Sequence, residues 1–168
     1  MTISMYSASV PPLRHILGAL DGVLRKGEAF ATARKIDPAV LLQARLAPDM
    51  LPLLRQVQIA SDQAKGCGAR LAGIEVPRYE DVETTFAELY DRIARTRSFL
   101  EAIAPSQIDG SEERPIVLTN RHGELRFTGQ DYLFQFVMPN VHFHCTIAYA
   151  ILRHNGVDVG KRDFLGGN

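Results

Sequence analysis

Four stretches of the chain repeat apolar residues every three or four positions, and this spacing constrains the fold more than any other feature of the sequence. The clearest stretch ends before Pro105 and runs through Val82, Phe86, Leu89, Ile93, Thr96, Leu100 and Ile103. Such a repeat places its apolar side chains on one face of an α-helix. The four stretches predict helices at about residues 8–33, 47–72, 81–104 and 130–155.

Prolines mark the expected boundaries of these helices. Pro11 and Pro12 stand ahead of the first apolar run. Pro48 and Asp49 fit the first turn of the second helix, where a missing N–H costs little and a carboxylate meets the positive end of the helix dipole. Pro139 lies early in the fourth stretch, where we expect it to bend the helix.

The period changes between residues 115 and 127, where β-branched and alternating residues flank a turn that contains glycine. This pattern predicts a β-hairpin. Four amphipathic helices with short connections form a four-helix bundle. We therefore expect one domain over residues 1–168, an all-α, up-down-up-down four-helix bundle with a small β-hairpin between its third and fourth helices.

The charges of the chain balance, with 19 Lys and Arg against 19 Asp and Glu. Because binding to nucleic acid depends on neutralising phosphates, this balance argues against a nucleic-acid partner. On the third helix, Glu88 precedes Arg92 and Asp91 precedes Arg95 by four residues. That spacing predicts ion pairs on a solvent-exposed face.

Two cysteines, Cys67 and Cys145, lie far apart in the sequence and form no zinc-binding or disulfide pattern. A chain with so few cysteines suits a reducing compartment, so we expect a cytoplasmic protein. No run of eighteen apolar residues occurs, and we expect no membrane partner. We also expect a homodimer formed through one face of the bundle.

Polar residues interrupt the apolar stripe of the fourth helix, where Asn140 and His144 lie one turn apart on the inward face. In the second helix, Gln56 and Gln63 lie at the edge of the stripe, and Asp49 lies two turns before Gln56. Ligand and metal sites in helix bundles are built from such inward-facing side chains. These five residues are the candidate ligand-binding site.

A second interpretation of the same residues is purely structural. Buried polar groups need hydrogen-bond partners whatever their role, and Asn140 and His144 are candidates for a satisfied core pair that fixes the packing of the helices. The sequence leaves both interpretations open.

Several longer motifs resemble a bacterial domain family of unknown function within the DinB-like superfamily, a group of bundles regarded as metalloenzymes. The resemblance covers essentially the whole chain. The motifs that carry it occupy residues 44–50, 55–62, 139–144, 148–157 and 160–166.

In that superfamily, the resemblance implies a divalent metal held by three histidines, one from the second helix and two spaced i,i+4 on the fourth. His144 matches the last of these histidines. Asn140 stands where its partner is expected, and Gln56 or Gln58 stands where the second helix would supply the remaining one. Neutral amides are poor ligands for zinc or nickel beside an imidazole. His144 is therefore the one candidate metal ligand that the sequence retains.

Three functional hypotheses follow. In the first, the bundle binds a small molecule or is a degenerate enzyme, with His144, Asn140 and Gln56 as hydrogen-bonding groups. In the second, it is an active divalent-metal-dependent transferase or hydrolase, thiol-dependent in some relatives, with Asp49 or water completing the metal shell around His144. In the third, the protein is a structural homodimer without a ligand.

Overall fold

The computed structural model describes residues 3–120 and 123–167, and helices form most of it. Four long helices are α1 (Met5–Arg34), α3 (Leu53–Ala72), α4 (Phe86–Glu101) and α7 (Met138–His154). The shorter elements are α2 (Pro38–Leu42), α5 (Pro105–Ile108), β1 (Ile116–Asn120), β2 (Gly123–Phe127), α6 (Gly129–Asp131) and α8 (Lys161–Phe164). A π-helical segment, Tyr132–Val137, joins α6 to α7. The predicted four-helix bundle with a hairpin before its last helix is confirmed.

The directions of the helices follow from the residues that meet across them. Arg14, early in α1, pairs with Glu101 at the end of α4, whereas Glu28, late in α1, accepts a hydrogen bond from Tyr90 near the start of α4. These two helices are therefore antiparallel. The α3 and α7 helices are antiparallel as well, because α3 places Gln56 against His144 and the end of α3 lies against the π-helical segment.

The α3 and α4 helices run parallel, and here the predicted up-down-up-down order is wrong. Asp62 of α3 pairs with Arg92 of α4, and farther along Gly68 lies against Leu100. With α1 antiparallel to α4 and α7 antiparallel to α3, the bundle has an up-down-down-up order. The sequence pattern defined the helices but carried no information on which ends meet.

A long connection makes the parallel arrangement possible. Residues 73–85, called the return segment here, run back along α3, so that Tyr79 lies over Lys65 and Glu83 bonds Gln58 nearer the start of the helix. The 20 residues of α3 span about 30 Å. An extended chain of this length reaches about 40 Å. The return segment therefore delivers the chain to the N-terminal half of α3 before α4 begins.

The first helix begins earlier than predicted. Ser4 caps it by accepting a hydrogen bond from the backbone N–H of Ser7, and the helix starts at Met5, so that Pro11 and Pro12 lie inside it. A proline in a helix removes one hydrogen bond. Burial of the apolar face around these prolines, which includes the fully buried Val10, compensates for that loss.

Two other helices begin later than predicted. The α3 helix starts at Leu53, after Pro52, and the residues from 47 to 50 form turns instead of its first turn. The α4 helix starts at Phe86 because Thr85 and Glu88 form a capping box there. Val82, expected in the apolar stripe, lies in the return segment and is 68% exposed.

The fourth helix is irregular just ahead of Pro139, where the sequence predicted a bend. A π-helical segment ends at Val137, two residues before this proline. Because proline has no N–H to donate and its ring crowds the preceding turn, the hydrogen-bond pattern changes just ahead of it. Within the described residues, no helix combines the length and the hydropathy that a transmembrane span requires.

Candidate functional site

The centre of the candidate site is a hydrogen bond between His144 on α7 and Gln56 on α3. The Nδ1 atom of His144 lies 2.7 Å from Oε1 of Gln56. Gln56 is only 2% exposed, and its Nε2 donates to the backbone carbonyl of Leu51 at 2.8 Å. Because this second bond fixes the orientation of the amide, an oxygen faces the imidazole. Nδ1 of His144 must therefore carry the hydrogen.

This arrangement leaves Nε2 of His144 as a lone-pair acceptor. Burial lowers the pKa of His144 from its ordinary value, which favours the neutral ring at pH 7. The side chain is half-buried, with Phe143 edge-on to its ring at a centroid distance of 5.2 Å. No described residue forms a hydrogen bond with Nε2 of His144. His144 is thus an oriented, uncharged imidazole with one open acceptor atom.

Asn140 lies on the same stripe of α7, one turn before His144, but the two side chains do not bond each other. Its Nδ2 donates to the backbone carbonyl of Phe136 at 2.6 Å. That carbonyl belongs to the π-helical segment, where the usual pattern of helix hydrogen bonds is altered. Among the described residues, no donor meets Oδ1 of Asn140. The core pair between Asn140 and His144 considered from the sequence is not formed.

The other predicted site residues lie in different places. Gln63, half-buried on α3, lines a groove together with Phe136, about two turns from the Gln56–His144 bond. Asp49 is exposed in the turn before α3, and among the described residues no hydrogen bond or ion pair joins it to His144. Gln58 is buried but faces α4 and the return segment, where its Nε2 donates to Glu83 at 2.7 Å. Gln56, not Gln58, is therefore the α3 residue at the site.

The side chains at this site do not fit the metal that the superfamily resemblance implies. One imidazole is present; both polar atoms of Gln56 are engaged, and Nδ2 of Asn140 is engaged as well. Asp49, the carboxylate considered as a further ligand, is exposed elsewhere. In residues 3–120 and 123–167, no three His, Cys, Asp or Glu side chains form a group that could hold a metal ion. Transition-metal sites normally use three or more such protein ligands.

The two cysteines supply no alternative reactive group. Both are buried, and burial raises the pKa of each thiol to about 12. A thiol with such a pKa is protonated at neutral pH and is a poor nucleophile.

A buried charge cluster, which the sequence pattern did not predict, is centred on Arg92. This arginine was expected on an exposed face, paired with Glu88, but it is 1% exposed. Its guanidinium contacts three carboxylates at 2.9–3.0 Å, those of Asp62, Asp81 and Glu83. Glu88 instead bonds the backbone at the start of α4. Arg92 therefore joins α3, α4 and the return segment.

The electrostatics of this cluster favour its charged form. Burial pushes the pKa of Glu83 upward, but the hydrogen bonds from Gln58 and Arg92 outweigh this effect, and the net pKa is below the ordinary value. The pKa of Asp81 is also lowered, because its bonds to Arg55 and Arg92 outweigh its burial. One signal in the sequence was available: Arg92 lies three residues after Leu89 and four before Thr96, which places it on the buried stripe of α4.

Comparisons with known proteins agree with this architecture. A model of a domain family of unknown function, DUF1993, matches residues 5–165. The crystal structure of a DinB family member protein from Shewanella denitrificans is similar to this chain, with 41% sequence identity and a TM-score of 0.88. The match covers 97% of this chain and 92% of that one. No curated protein matches. The chain belongs to the DUF1993 family of domains of unknown function.

Proposed function

We propose that this bundle binds a small molecule between α3 and α7, with His144 as the central contact. The observation that supports the proposal most strongly is the hydrogen bond from Nδ1 of His144 to the anchored amide of Gln56. This bond satisfies only Nδ1, and no described residue bonds Nε2, so the pair with Gln56 does not account for both nitrogens of the ring. The bond holds Nε2 open as an acceptor in a half-buried position, which is how binding sites place their few polar groups.

The open atoms define the chemistry of the ligand. Nε2 of His144 and Oδ1 of Asn140 are both hydrogen-bond acceptors, one turn apart on the same face of α7. A ligand that satisfies them must carry hydrogen-bond donors, such as amine, amide or hydroxyl groups. An unpaired acceptor that becomes buried against a ligand without a donor costs about 1–3 kcal/mol. The site should therefore bind molecules that carry hydrogen-bond donors more tightly than similar molecules that lack them.

A degenerate metal site is consistent with this proposal, whereas an active metal-dependent transferase or hydrolase has no support from the donor set. One imidazole beside two amides supplies too few anionic or imidazole ligands. Elemental analysis of untagged protein, purified without chelator, tests this point: we expect less than one divalent metal ion per chain. Stoichiometric metal that disappears in His144→Ala would contradict the proposal.

The homodimer expected from the sequence stays a prediction.

A paired fragment screen tests the binding itself. Small amines, amides and alcohols, and their N- or O-methylated counterparts, are titrated into ¹⁵N-labelled protein while backbone resonances near residues 140–144 are followed. We expect donor-bearing fragments to shift these resonances and their methylated counterparts to do so less. His144→Ala should abolish the shifts.

His142→Ala is the matched control. His142 is an exposed histidine on the same helix, and its Nδ1 lies 2.8 Å from the carbonyl of Met138. The His142→Ala substitution should leave fragment binding unchanged. Equal binding to wild type and His144→Ala, or no preference for donor-bearing fragments, would refute the proposed function.

A further inference from the structure

A separate groove lies beside the hairpin, bounded by α3, the return segment, the hairpin and the π-helical segment. Its volume is about 870 Å³, which falls within the range of roughly 300–1,000 Å³ found for ligand pockets. His144 and Asn140 are not among its lining residues. Gln63 and Phe136 do line it, but a ligand in this groove would contact neither His144 nor Asn140.

The hairpin gives the groove an apolar wall. In its register Ile116 lies opposite Phe127 and Leu118 lies opposite Leu125, so that these four residues share one face of the ribbon. Ile116 is buried in the core, and Phe127 packs against the rings of the π-helical segment. Leu118 and Leu125 extend this face beyond the core and line the groove, and Leu125 is 42% exposed.

Arg70 supplies a positive charge on the opposite wall. One of its terminal nitrogens, Nη1, donates to the hydroxyl of Tyr132 at 3.0 Å, and no carboxylate within the described residues pairs with it. The backbone is shaped to receive this guanidinium, because a Cβ at Gly66 would lie 2.3 Å from Nη1. Glycine weakens the interior of a helix, and here its absent side chain leaves the space that the arginine occupies.

The charges around the groove leave Arg70 available to a ligand. Lys65 and Asp62, which also line it, pair with each other at 2.9 Å. At the rim, Arg78 and Glu80 are both exposed and carry opposite charges. These four charges cancel, so the charge of Arg70 makes the lining of the groove positive overall. The formal net charge of the whole chain is zero.

We propose that this groove binds a small organic anion with an apolar body, such as a medium-chain or aryl carboxylate. The anionic group would pair with the N–H groups of Arg70 that Tyr132 does not use, and the apolar body would lie against Leu118 and Leu125. Arginine binds carboxylates and phosphates through paired, charge-assisted hydrogen bonds, which makes it the residue that fits this role.

Octanoate and octan-1-ol form a matched pair of probes, since they share an apolar chain and differ in charge. Each is titrated below its micelle or solubility limit into protein labelled at leucine methyl groups and at arginine Nε. We expect octanoate to shift the methyl resonances of Leu118 and Leu125 and the Nε resonance of Arg70, and to bind about tenfold more tightly than octan-1-ol.

Three variants test which side chains cause the preference for octanoate over octan-1-ol. Arg70→Gln should lower octanoate affinity about tenfold, to that of octan-1-ol. Arg126→Gln, which removes an exposed arginine from the opposite face of the hairpin, should leave affinity unchanged. Leu125→Asp, at a position that is 42% exposed, should also weaken octanoate binding about tenfold by placing a negative charge at the apolar wall.

The proposal is overturned if octanoate causes no shifts in the groove, if it binds no better than octan-1-ol, or if its affinity is unchanged in folded Arg70→Gln. Should Arg70→Gln fail to fold, the result with Leu125→Asp decides. His144→Ala distinguishes the two sites. It should abolish the binding of the donor-bearing fragments described above and leave octanoate binding intact.

Discussion

Replacing Arg92 by methionine should destabilise the protein more than the loss of any exposed ion pair. The substitution keeps an unbranched apolar stem in the core but removes a guanidinium that contacts Asp62, Asp81, Glu83 and the carbonyl of Glu80. The side chain of Glu83 is only 6% exposed, so its charge would lose its cationic partner while having little access to water, and would keep only the hydrogen bond from Gln58. Removing one partner of a buried ion pair lowers the free energy of unfolding by about 3–5 kcal/mol.

Urea unfolding followed by circular dichroism measures this loss as a change in the free energy of unfolding. Arg126→Met is the control, because Arg126 pairs with Glu124 on the surface and its side chain is 72% exposed. An exposed pair contributes less than about 1 kcal/mol. The double variant Arg92→Met/Glu83→Gln should recover part of the lost stability, since it removes the charge that the single variant leaves unpaired.

The pH dependence provides a second readout of the same cluster. The folded-state pKa values of Asp81 and Glu83 are lowered, so the stability they contribute is present above their unfolded pKa values, near 4. This contribution is lost as the pH falls through the folded values. Arg92→Met should therefore lose less stability on acidification than the wild type. A destabilisation at pH 7 below about 1 kcal/mol, or an unchanged acid dependence, would refute this account of Arg92.

Other predictions concern single positions. Gly22→Ala should raise the free energy of unfolding by about 0.5–1 kcal/mol, because nothing lies within 4 Å of its added Cβ and alanine favours the helix; a destabilisation in urea would contradict this. Gly68→Ala should lower it by about 1–3 kcal/mol, because its Cβ would lie 2.6 Å from Leu100 Cδ2; unchanged stability would mean that the contact relaxes freely. Gln56→Glu should raise the pKa of His144 by placing a carboxylate against Nδ1, and an NMR titration that shows no upward shift would exclude their contact.

The four long helices and most of the core could be predicted because both depend on local spacing. Phe86, Leu89 and Ile93 are buried as their stripe requires. The hairpin follows from a similar local signal. The directions of α3 and α4 could not be predicted in this way, because they depend on where the return segment docks. That docking relies on contacts between residues distant in the sequence, such as Lys65 with Tyr79.

The candidate site was predicted in part for a related reason. Asn140 and His144 share a helix stripe, so their common face is a local property, and the structure places Gln56 against His144. Asp49 was grouped with them because the second helix was expected to begin six residues too early. Arg92 was missed because i,i+4 spacing describes an isolated helix, whereas its three acidic partners come from two other parts of the chain.

The protonation of His144 tests the central claim most directly. A long-range ¹H–¹⁵N correlation spectrum of histidine side chains at pH 7 distinguishes the two neutral tautomers from the charged ring. The structure predicts a neutral ring protonated at Nδ1, with Nε2 unprotonated, and predicts that Gln56→Leu removes this preference. A ring protonated at Nε2 alone, or a charged imidazolium at pH 7, would contradict the account, because His144 would then present no open acceptor to a ligand.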